Sequence, residues 1–119
     1  MTADTVNLGT TADEIAITGA VVIQPDTVGQ TVGLSGGAGN FSINTDEIEV
    51  INGAIATSVR FGLLDGTGDV TVEAKEFDFA ALTIIGGNID VEGALTTDND
   101  TDLTLDGDGI DQLAAGTIN

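Results

Sequence analysis

The chain has 119 residues, of which 20 are acidic and only two, Arg60 and Lys75, are basic. The net charge of −18 argues against nucleic-acid partners and anionic membrane surfaces, because both would repel the chain. The absence of cysteine and histidine excludes disulfides, thiolate or Ser-His-Asp catalysis and the usual zinc sites. No apolar run is long enough for a transmembrane helix, so we expect no membrane insertion.

Short runs of alternating apolar and polar residues, bounded by Gly, Asn, Asp or Thr, predict strands along almost the whole chain. In chain order they are Glu14–Thr18, Ala20–Gln24, Thr31–Leu34, Asn40–Ile43, Glu47–Ile51, Ser58–Leu63, Asp69–Glu73, Glu76–Phe79, Leu82–Ile85, Asn88–Val91, Asp102–Leu105 and Thr117–Ile118. Short helical turns are plausible only around Thr45–Val50 and Gly109–Ala115. The sequence therefore predicts an all-β fold.

One unit recurs along the chain: a Gly or Thr, then Asn or Asp, then an apolar–polar–apolar triplet. Its copies are Gly39–Ile43, Gly68–Val72, Gly87–Val91 and Thr101–Leu105, with starts 29, 19 and 14 positions apart. A longer echo aligns "FSINTDEIEVI" with "LTLDGDGIDQL" at a shift of 62 positions. This shift fits three turns of about 20 residues each, as in solenoid repeats.

The repeat predicts a coil whose interior is lined by the apolar triplet positions. Residues i and i+2 of a strand point to the same face, so Phe41/Ile43, Val70/Val72, Ile89/Val91 and Leu103/Leu105 would stack as apolar ladders. The middle residue of each triplet would face solvent. We expect one parallel β-solenoid domain over residues 1–119 with about six turns, and keep a β-sandwich as the alternative because strand spacing of about 8–12 residues also suits it.

The segment "GGAGNFSI" nearly matches the calcium-binding nonapeptide G-G-x-G-x-D-x-U-x of parallel β-rolls. Phe41 stands where the nonapeptide has its aspartate, and the other copies of the unit do not restore that aspartate in successive turns. We therefore interpret the segment as a coil corner that directs Phe41 and Ile43 into the core, and not as a calcium repeat.

The stretches "TVGLSGGAGNFSINTDEIEVINGAIATSVRFGLLDGTGDVTVEA" and "LTIIGGNIDVEGALTTDNDTDLTLDGDGI" resemble the repeats of filamentous-haemagglutinin-like bacterial surface proteins. The resemblance covers about two-thirds of the chain. It rests on the repeated order of strands and turns and on the insert Asp46–Ile51 before the next strand. It implies a right-handed parallel β-helix in an adhesin or filament. No catalytic motif accompanies it, so it assigns no functional residue. Members of that family are far larger, and this sequence lacks their N-terminal secretion module.

A candidate metal site lies at "DNDTD", where Asp98, Asp100 and Asp102 alternate with polar residues. Alternating carboxylates offer the hard oxygen ligands that calcium prefers. An EF-hand loop is excluded, because its glycine and terminal glutamate positions hold Leu103 and Gly109. The competing interpretation is a solvated turn rich in Asp and Asn. We expect no required cofactor, and calcium is the one candidate ligand.

Paired carboxylates such as Asp90 and Glu92 would share an outer strand face, as glycoside hydrolysis by two carboxylates would require. With 20 carboxylates in a small chain, however, some close pair is unavoidable. No Trp, Tyr or His is present to bind a sugar or assist the chemistry. We therefore predict that the protein is not an enzyme, and that Arg60 and Lys75 each pair with a neighbouring carboxylate.

The two ends of a strand stack expose unpaired backbone groups that invite pairing with another chain. No capping helix is evident at either end of the sequence. We therefore expect the partner to be a second copy stacked end to end, or the rest of a larger surface protein. The first ten residues have neither the basic nor the apolar region of a signal peptide, so an exported chain would be a fragment or would have lost its signal.

Together these observations predict a non-enzymatic structural or adhesive segment, or a self-assembling subunit, of a bacterial extracellular filament or surface protein. The alternative is a calcium-binding extracellular surface module. The acidic composition fits an extracellular or cell-surface location in saline or calcium-containing surroundings.

Overall fold

The structure is a computed structural model, which describes residues 7–51, 55–97, 101–112 and 117–118. Within these ranges it contains twelve strands and one helix. The strands are β1 (Ala20–Ile23), β2 (Val32–Leu34), β3 (Phe41–Ile43), β4 (Ser58–Phe61), β5 (Val70–Val72), β6 (Lys75–Phe77), β7 (Ala81–Ile85), β8 (Asn88–Val91), β9 (Ala94–Thr97), β10 (Asp102–Asp106), β11 (Gly109–Gln112) and β12 (Thr117–Ile118). The helix α1 spans Thr45–Glu49. The all-β prediction is confirmed.

The strands form three sheets in which every pairing is parallel. Sheet 1 has the order β1-β4-β7-β10, sheet 2 the order β3-β2-β5-β8-β11, and sheet 3 the order β6-β9-β12. From β4 onward, three consecutive strands lie in three different sheets, and the fourth returns to the first. The strands therefore fall into tiers, which we define as β4-β5-β6, β7-β8-β9 and β10-β11-β12.

Residues in neighbouring tiers are aligned in register. Val59 pairs with Leu82 and Leu82 with Leu103, offsets of 23 and 21 positions. The offset between β1 and β4, which we call the first step, is longer, because Ala20 pairs with Ser58 at an offset of 38 positions. The extra residues in that step form β3 and α1. β1 and β2 thus make a tier without a described third strand.

The alternating sequence pattern lines the interior with apolar columns. In sheet 1 these columns are Val21–Val59–Leu82–Leu103 and Ile23–Phe61–Ile84–Leu105. In sheet 2 they are Phe41–Val32–Val70–Ile89–Ile110 and Ile43–Leu34–Val72–Val91. Most of these side chains are less than 8% exposed, because in-register parallel strands place equivalent residues one above the other.

The recurring sequence unit falls on two sheets. Its copies at Phe41–Ile43, Val70–Val72 and Ile89–Val91 are β3, β5 and most of β8, all in sheet 2. The fourth copy, Leu103–Leu105, lies in β10 of sheet 1. The expected single ladder was therefore right for three copies and wrong for the fourth, since the same triplet satisfies any strand with one buried face.

The glycine-rich segment is a return loop that crosses the outer face of β2. Because β3 lies parallel to β2, residues 35–40 must run back along the strand. A Cβ added at Gly33 would lie 1.9 Å from the Gly37 carbonyl oxygen, and one at Gly37 would lie 2.3 Å from the Thr71 carbonyl oxygen. Only glycine permits this backbone contact. Phe41 and Ile43 are buried as expected, but the segment is a crossing and not a simple corner.

Helix α1 begins at a complete capping box. The Asn44 side chain accepts a hydrogen bond from the Glu47 backbone N–H, and the Glu47 carboxylate accepts one from the Asn44 N–H, both at 2.9 Å. This exchange satisfies two N–H groups that a helix start would leave unpaired. The helix interpretation of Thr45–Val50 is therefore confirmed, and the strand Glu47–Ile51 was wrong.

Helix α1 lies at the end of the stack formed by β1, β3 and β6, which we call the N-terminal end. Ile48 is 1% exposed, and Ile51 forms a parallel bridge with Ile15. The expectation that no helix covers an end was therefore wrong here. At the opposite end, formed by β10, β11 and β12 and called the C-terminal end, no helix lies among the described residues.

The structure differs from the sequence prediction in three further places. Glu14–Thr18 forms only the isolated bridge at Ile15. β9 was missed, because Gly93 and the flanking Thr and Ala residues resemble a loop. β11 replaces the first part of the helical turn expected at Gly109–Ala115, and residues 113–116 lie outside the described residues. At β11 the parallel pairing with β8 overrides a weak local helix preference.

Candidate functional site

The predicted calcium ligands are only partly described. Asp98 and Asp100 lie outside the described residues, and Asp102 is the exposed first residue of β10. The Asp102 backbone N–H donates to the Ala80 carbonyl at 3.1 Å, and the Thr101 hydroxyl donates to the Phe79 carbonyl at 2.7 Å. Asp102 therefore belongs to a strand and not to a loop. Within the described ranges, no three acidic residues come together in a group that would hold a metal ion.

An acidic ladder runs along the outer face of sheet 2. Asp90 and Asp111 are register neighbours in β8 and β11. The Asn88 side-chain amide donates to both carboxylates, at 2.6 Å to Asp90 and 3.0 Å to Asp111. Asp69 caps the ladder by accepting from the Asn88 backbone N–H at 3.0 Å. The amide therefore separates two like charges that strand pairing forces close together.

Glu92, the second carboxylate considered for glycoside hydrolysis, follows Asp90 on this outer face. Partial desolvation raises the pKa of Glu92, as do a side-chain hydrogen bond to Glu73 and the negative charges of Glu73 and Asp90. Glu73 directly follows β5, one tier away. The stack therefore places the Glu73 and Glu92 carboxyl groups side by side, and this arrangement disfavours the charged form of Glu92.

The two basic residues have different surroundings. The Lys75 ammonium lies 2.7 Å from a Glu49 carboxylate oxygen, which confirms the expected ion pair and ties α1 to β6. Arg60 instead donates from Nη2 to the Gln24 side-chain carbonyl at 2.7 Å, and its buried Nε has no partner among the described residues. The expected carboxylate partner of Arg60 was therefore wrong. Its neighbours across sheet 1 are Val22 and Thr83.

A groove of about 510 Å³ lies between α1 and β6. We call it the β6 groove. Its walls are apolar at Ile48 and Ile51 from the α1 region and at Phe77 and Phe79 from the β6 region. Its remaining lining is Ala12, Asp13, Glu49, Lys75, Glu76 and Asp78. Phe77 stacks obliquely on Phe79 with ring centroids 6.2 Å apart, which fixes the shape of this wall.

The β6 groove was not predicted from the sequence. Alternation in Lys75–Phe79 places Phe77 and Phe79 on one strand face, and this signal was used only to assign a strand. The groove lies where the first tier has no described third strand, which no local pattern reveals. The acidic ladder had a clearer signal, because the Gly-Asn and Gly-Asp steps recur before the paired strands.

Comparison with protein-family models, curated proteins and solved structures finds no match to this chain. Among the described residues, no helix has the length and apolar character needed to cross a membrane.

Proposed function

We propose that this chain is a right-handed parallel β-helix and a non-enzymatic structural or adhesive segment of a bacterial extracellular filament or surface protein. The proposal is consistent with the resemblance of residues 31–74 and 82–110 to filamentous-haemagglutinin-like repeats. The observation that carries it is the set of apolar columns that run in register through sheets 1 and 2.

The strand order supports the β-helix. Strands from β4 to β12 visit the three sheets in strict rotation, and their register offsets lie between 19 and 23 positions. A β-sandwich built from hairpins would place consecutive strands side by side and antiparallel. In the proposed helix, the described strands fill four tiers. A stack built in this way is stiff, because the backbone of each tier pairs with the backbone of the tier before it.

The side chains on the outer faces of the sheets, which we call the side walls, support a structural role over an enzymatic one. Asp90 is held by the Asn88 amide, and Glu92 is engaged by Glu73. Asp90 lies on the outer face of β8 and Glu92 directly follows this strand, so neither carboxylate faces an enclosed substrate space. Lys75 is likewise held by Glu49. The remaining excess of negative charge would keep such walls from associating laterally at low salt.

The C-terminal end supports an axial partner. Leu103 and Leu105 of β10 are only half-buried, and Ile110 of β11 is 48% exposed. Among the described strands, the end strands β10, β11 and β12 also have one unpaired edge each. A second copy, or the rest of a larger surface protein, would pair with these edges and complete the columns.

The proposal is tested by electron microscopy and light scattering of the purified chain, with and without millimolar calcium. Rods or fibres that grow by end-to-end contact in both buffers would support a self-assembling subunit. Short monomers in both buffers, whose length increases in steps when copies are joined in tandem, would support a segment of a larger stalk. Round particles whose length does not increase with tandem copies would contradict the β-helix.

The alternative function, a calcium-binding surface module, is favoured by the exposed carboxylates of Asp102, Asp106 and Asp108 near the C-terminal end. Asp102 closely follows the predicted ligands Asp98 and Asp100 in the sequence, and those two lie outside the described residues. Under this alternative, calcium raises the melting temperature over that in EDTA, and an Asp102→Asn change removes the increase. An equal melting temperature in calcium and EDTA would exclude it.

A further inference from the structure

The β6 groove lies where sheet 3 has one strand fewer than sheet 1. Sheet 1 contains four strands and sheet 3 contains three. Strand β6 is at one edge of sheet 3. The chain between β2 and β4 forms β3 and α1, so no described strand pairs with β6 on the side away from β9. The groove is therefore a space beside an unpaired parallel strand edge.

The backbone of that edge is available for pairing. Just before β6, the Ala74 carbonyl accepts a hydrogen bond from the Ser35 hydroxyl at 3.1 Å. Within the described chain, Lys75, Glu76 and Phe77 have no backbone partner beyond their pairing with β9. A strand edge with free N–H and C=O groups is a template for an added strand.

The side chains around the edge select the kind of strand. Phe77, Phe79 and Ile48 give the groove an apolar floor, and its volume of about 510 Å³ is in the range of established ligand sites. Asp13, Glu76 and Asp78 are exposed on its rim. The single cation, Lys75, is already paired with Glu49, so the rim presents uncompensated negative charge.

We propose that the β6 groove binds an extended segment of another protein in which basic and apolar residues alternate, and that this segment adds a fourth strand to sheet 3. In an extended strand, apolar residues at every second position would face the floor while the basic residues face the acidic rim. A second copy of this chain is a poor occupant, because its unpaired strands β10 and β11 carry Asp102, Asp106 and Asp111, and its unpaired strand β12 has only two residues and neither is basic. The proposal goes beyond the structural role and is compatible with a stalk segment, whereas end-to-end stacking of copies through β6 would overturn it.

The binding test uses the full chain and a fluorescent synthetic peptide that alternates lysine and valine. We expect saturable binding by fluorescence anisotropy, and no binding of a peptide that alternates glutamate and valine. The double variant Glu76→Lys/Asp78→Lys should weaken binding about tenfold, since two favourable charge contacts become repulsive. The matched control, Asp26→Lys/Asp65→Lys, changes the net charge equally at exposed positions outside the groove lining and should leave the affinity within about twofold. Equal weakening in both variants would overturn the proposal.

A second readout locates the bound peptide. Hydrogen exchange should slow at the amides of β6 when the lysine–valine peptide is bound, and a proline at the centre of the peptide should abolish this protection. Protection at β10 and β11 instead would overturn the proposal. Protection of β6 that rises with protein concentration in the absence of peptide would also overturn it, because a second copy would then be the occupant.

Discussion

The two ends of the strand stack differ in how far their apolar side chains are buried. At the N-terminal end, the edge-strand residues Ile23, Phe41 and Ile43 are no more than 2% exposed. At the C-terminal end, Ile110 and Ile118 are 48% and 36% exposed. The same apolar columns run between these ends, so the difference arises from what covers the last tier and not from the strands themselves.

The N-terminal end is covered by residues that lie outside the tiers. The long first step supplies β3 and α1, and the bridge between Ile15 and Ile51 adds a further layer. The two ends also differ in outline. β10, β11 and β12 belong to one tier, whereas β3, β1 and β6 belong to three successive levels. A flat end and a stepped, covered end cannot meet flush, so identical copies would need to rearrange the N-terminal end to form a head-to-tail filament.

The largest expected contrast is in core substitutions. Leu34→Ala in β2, where the side chain is fully buried, should cost about 2–5 kcal/mol of unfolding free energy. Leu105→Ala in β10, where the side chain is half-buried, should cost about 1 kcal/mol. Urea melts of the two variants measure both values. Equal costs would show that the C-terminal end is covered in solution and would break the comparison.

Glycine substitutions give the next contrast. Gly37→Ala forces a Cβ to within 2.3 Å of the Thr71 carbonyl oxygen, a backbone atom that cannot move aside, and should cost about 1–3 kcal/mol. Gly109→Ala meets the Asn88 side-chain oxygen at 2.3 Å, which can rotate away, so about 1 kcal/mol is expected. Gly19→Ala is the control, with no atom within 4 Å of its Cβ and an expected change below about 0.5 kcal/mol. A Gly37→Ala variant as stable as the control would rule out the close approach of the return loop to β5.

The capping box of α1 is expected to contribute less. Asn44→Ala removes the side-chain acceptor for the Glu47 N–H and should destabilise the protein by about 1 kcal/mol. Asn44→Asp keeps an acceptor and should recover most of that loss. If α1 secures the N-terminal end, hydrogen exchange in Asn44→Ala should quicken at β3 before it quickens at β8. Uniform quickening would mean that the helix does not protect this end specifically.

The smallest effect is expected on the side wall between the two ends. Because the folded-state pKa of Glu92 is raised, its protonated form favours folding, and this contribution is lost as the pH rises through that pKa. Glu92→Gln should therefore remove a decline in melting temperature above the ordinary glutamate pKa. Glu76→Gln makes the same charge change outside this pair and serves as the control. A decline that persists unchanged in Glu92→Gln would show that Glu73 and Glu92 do not interact.

Much of the strand content could be predicted from the sequence, because alternation marks a buried face in any sheet. Ten predicted segments correspond to described strands with ends shifted by no more than two residues. The assignment of strands to sheets was harder. Leu103–Leu105 and Val70–Val72 have the same pattern, yet they lie in sheets 1 and 2, because the tier length and not the triplet decides which sheet a strand joins.

The cover of the N-terminal end and the β6 groove were beyond local sequence patterns. Capping by Asn44 and Glu47 fits a helix start, but nothing local says that this helix lies against β6. The groove lies where no described strand of the first tier neighbours β6, and this depends on the whole stack. Arg60 shows the same limit, since Gln24 lies near it only through the pairing of β1 with β4.

The central claim, that strands return to the same sheet in parallel register once per tier, can be tested by cysteine cross-linking because the native chain has no cysteine. Three double variants place cysteines at register neighbours in the three sheets: Thr83→Cys/Thr104→Cys, Glu76→Cys/Thr96→Cys and Asp90→Cys/Asp111→Cys. Neighbouring strands lie about 4.8 Å apart, within disulfide reach. The account predicts an intramolecular disulfide in all three variants and none in Thr83→Cys/Asp90→Cys, which joins two sheets. Failure of any register pair, or ready cross-linking of the control pair, would contradict it.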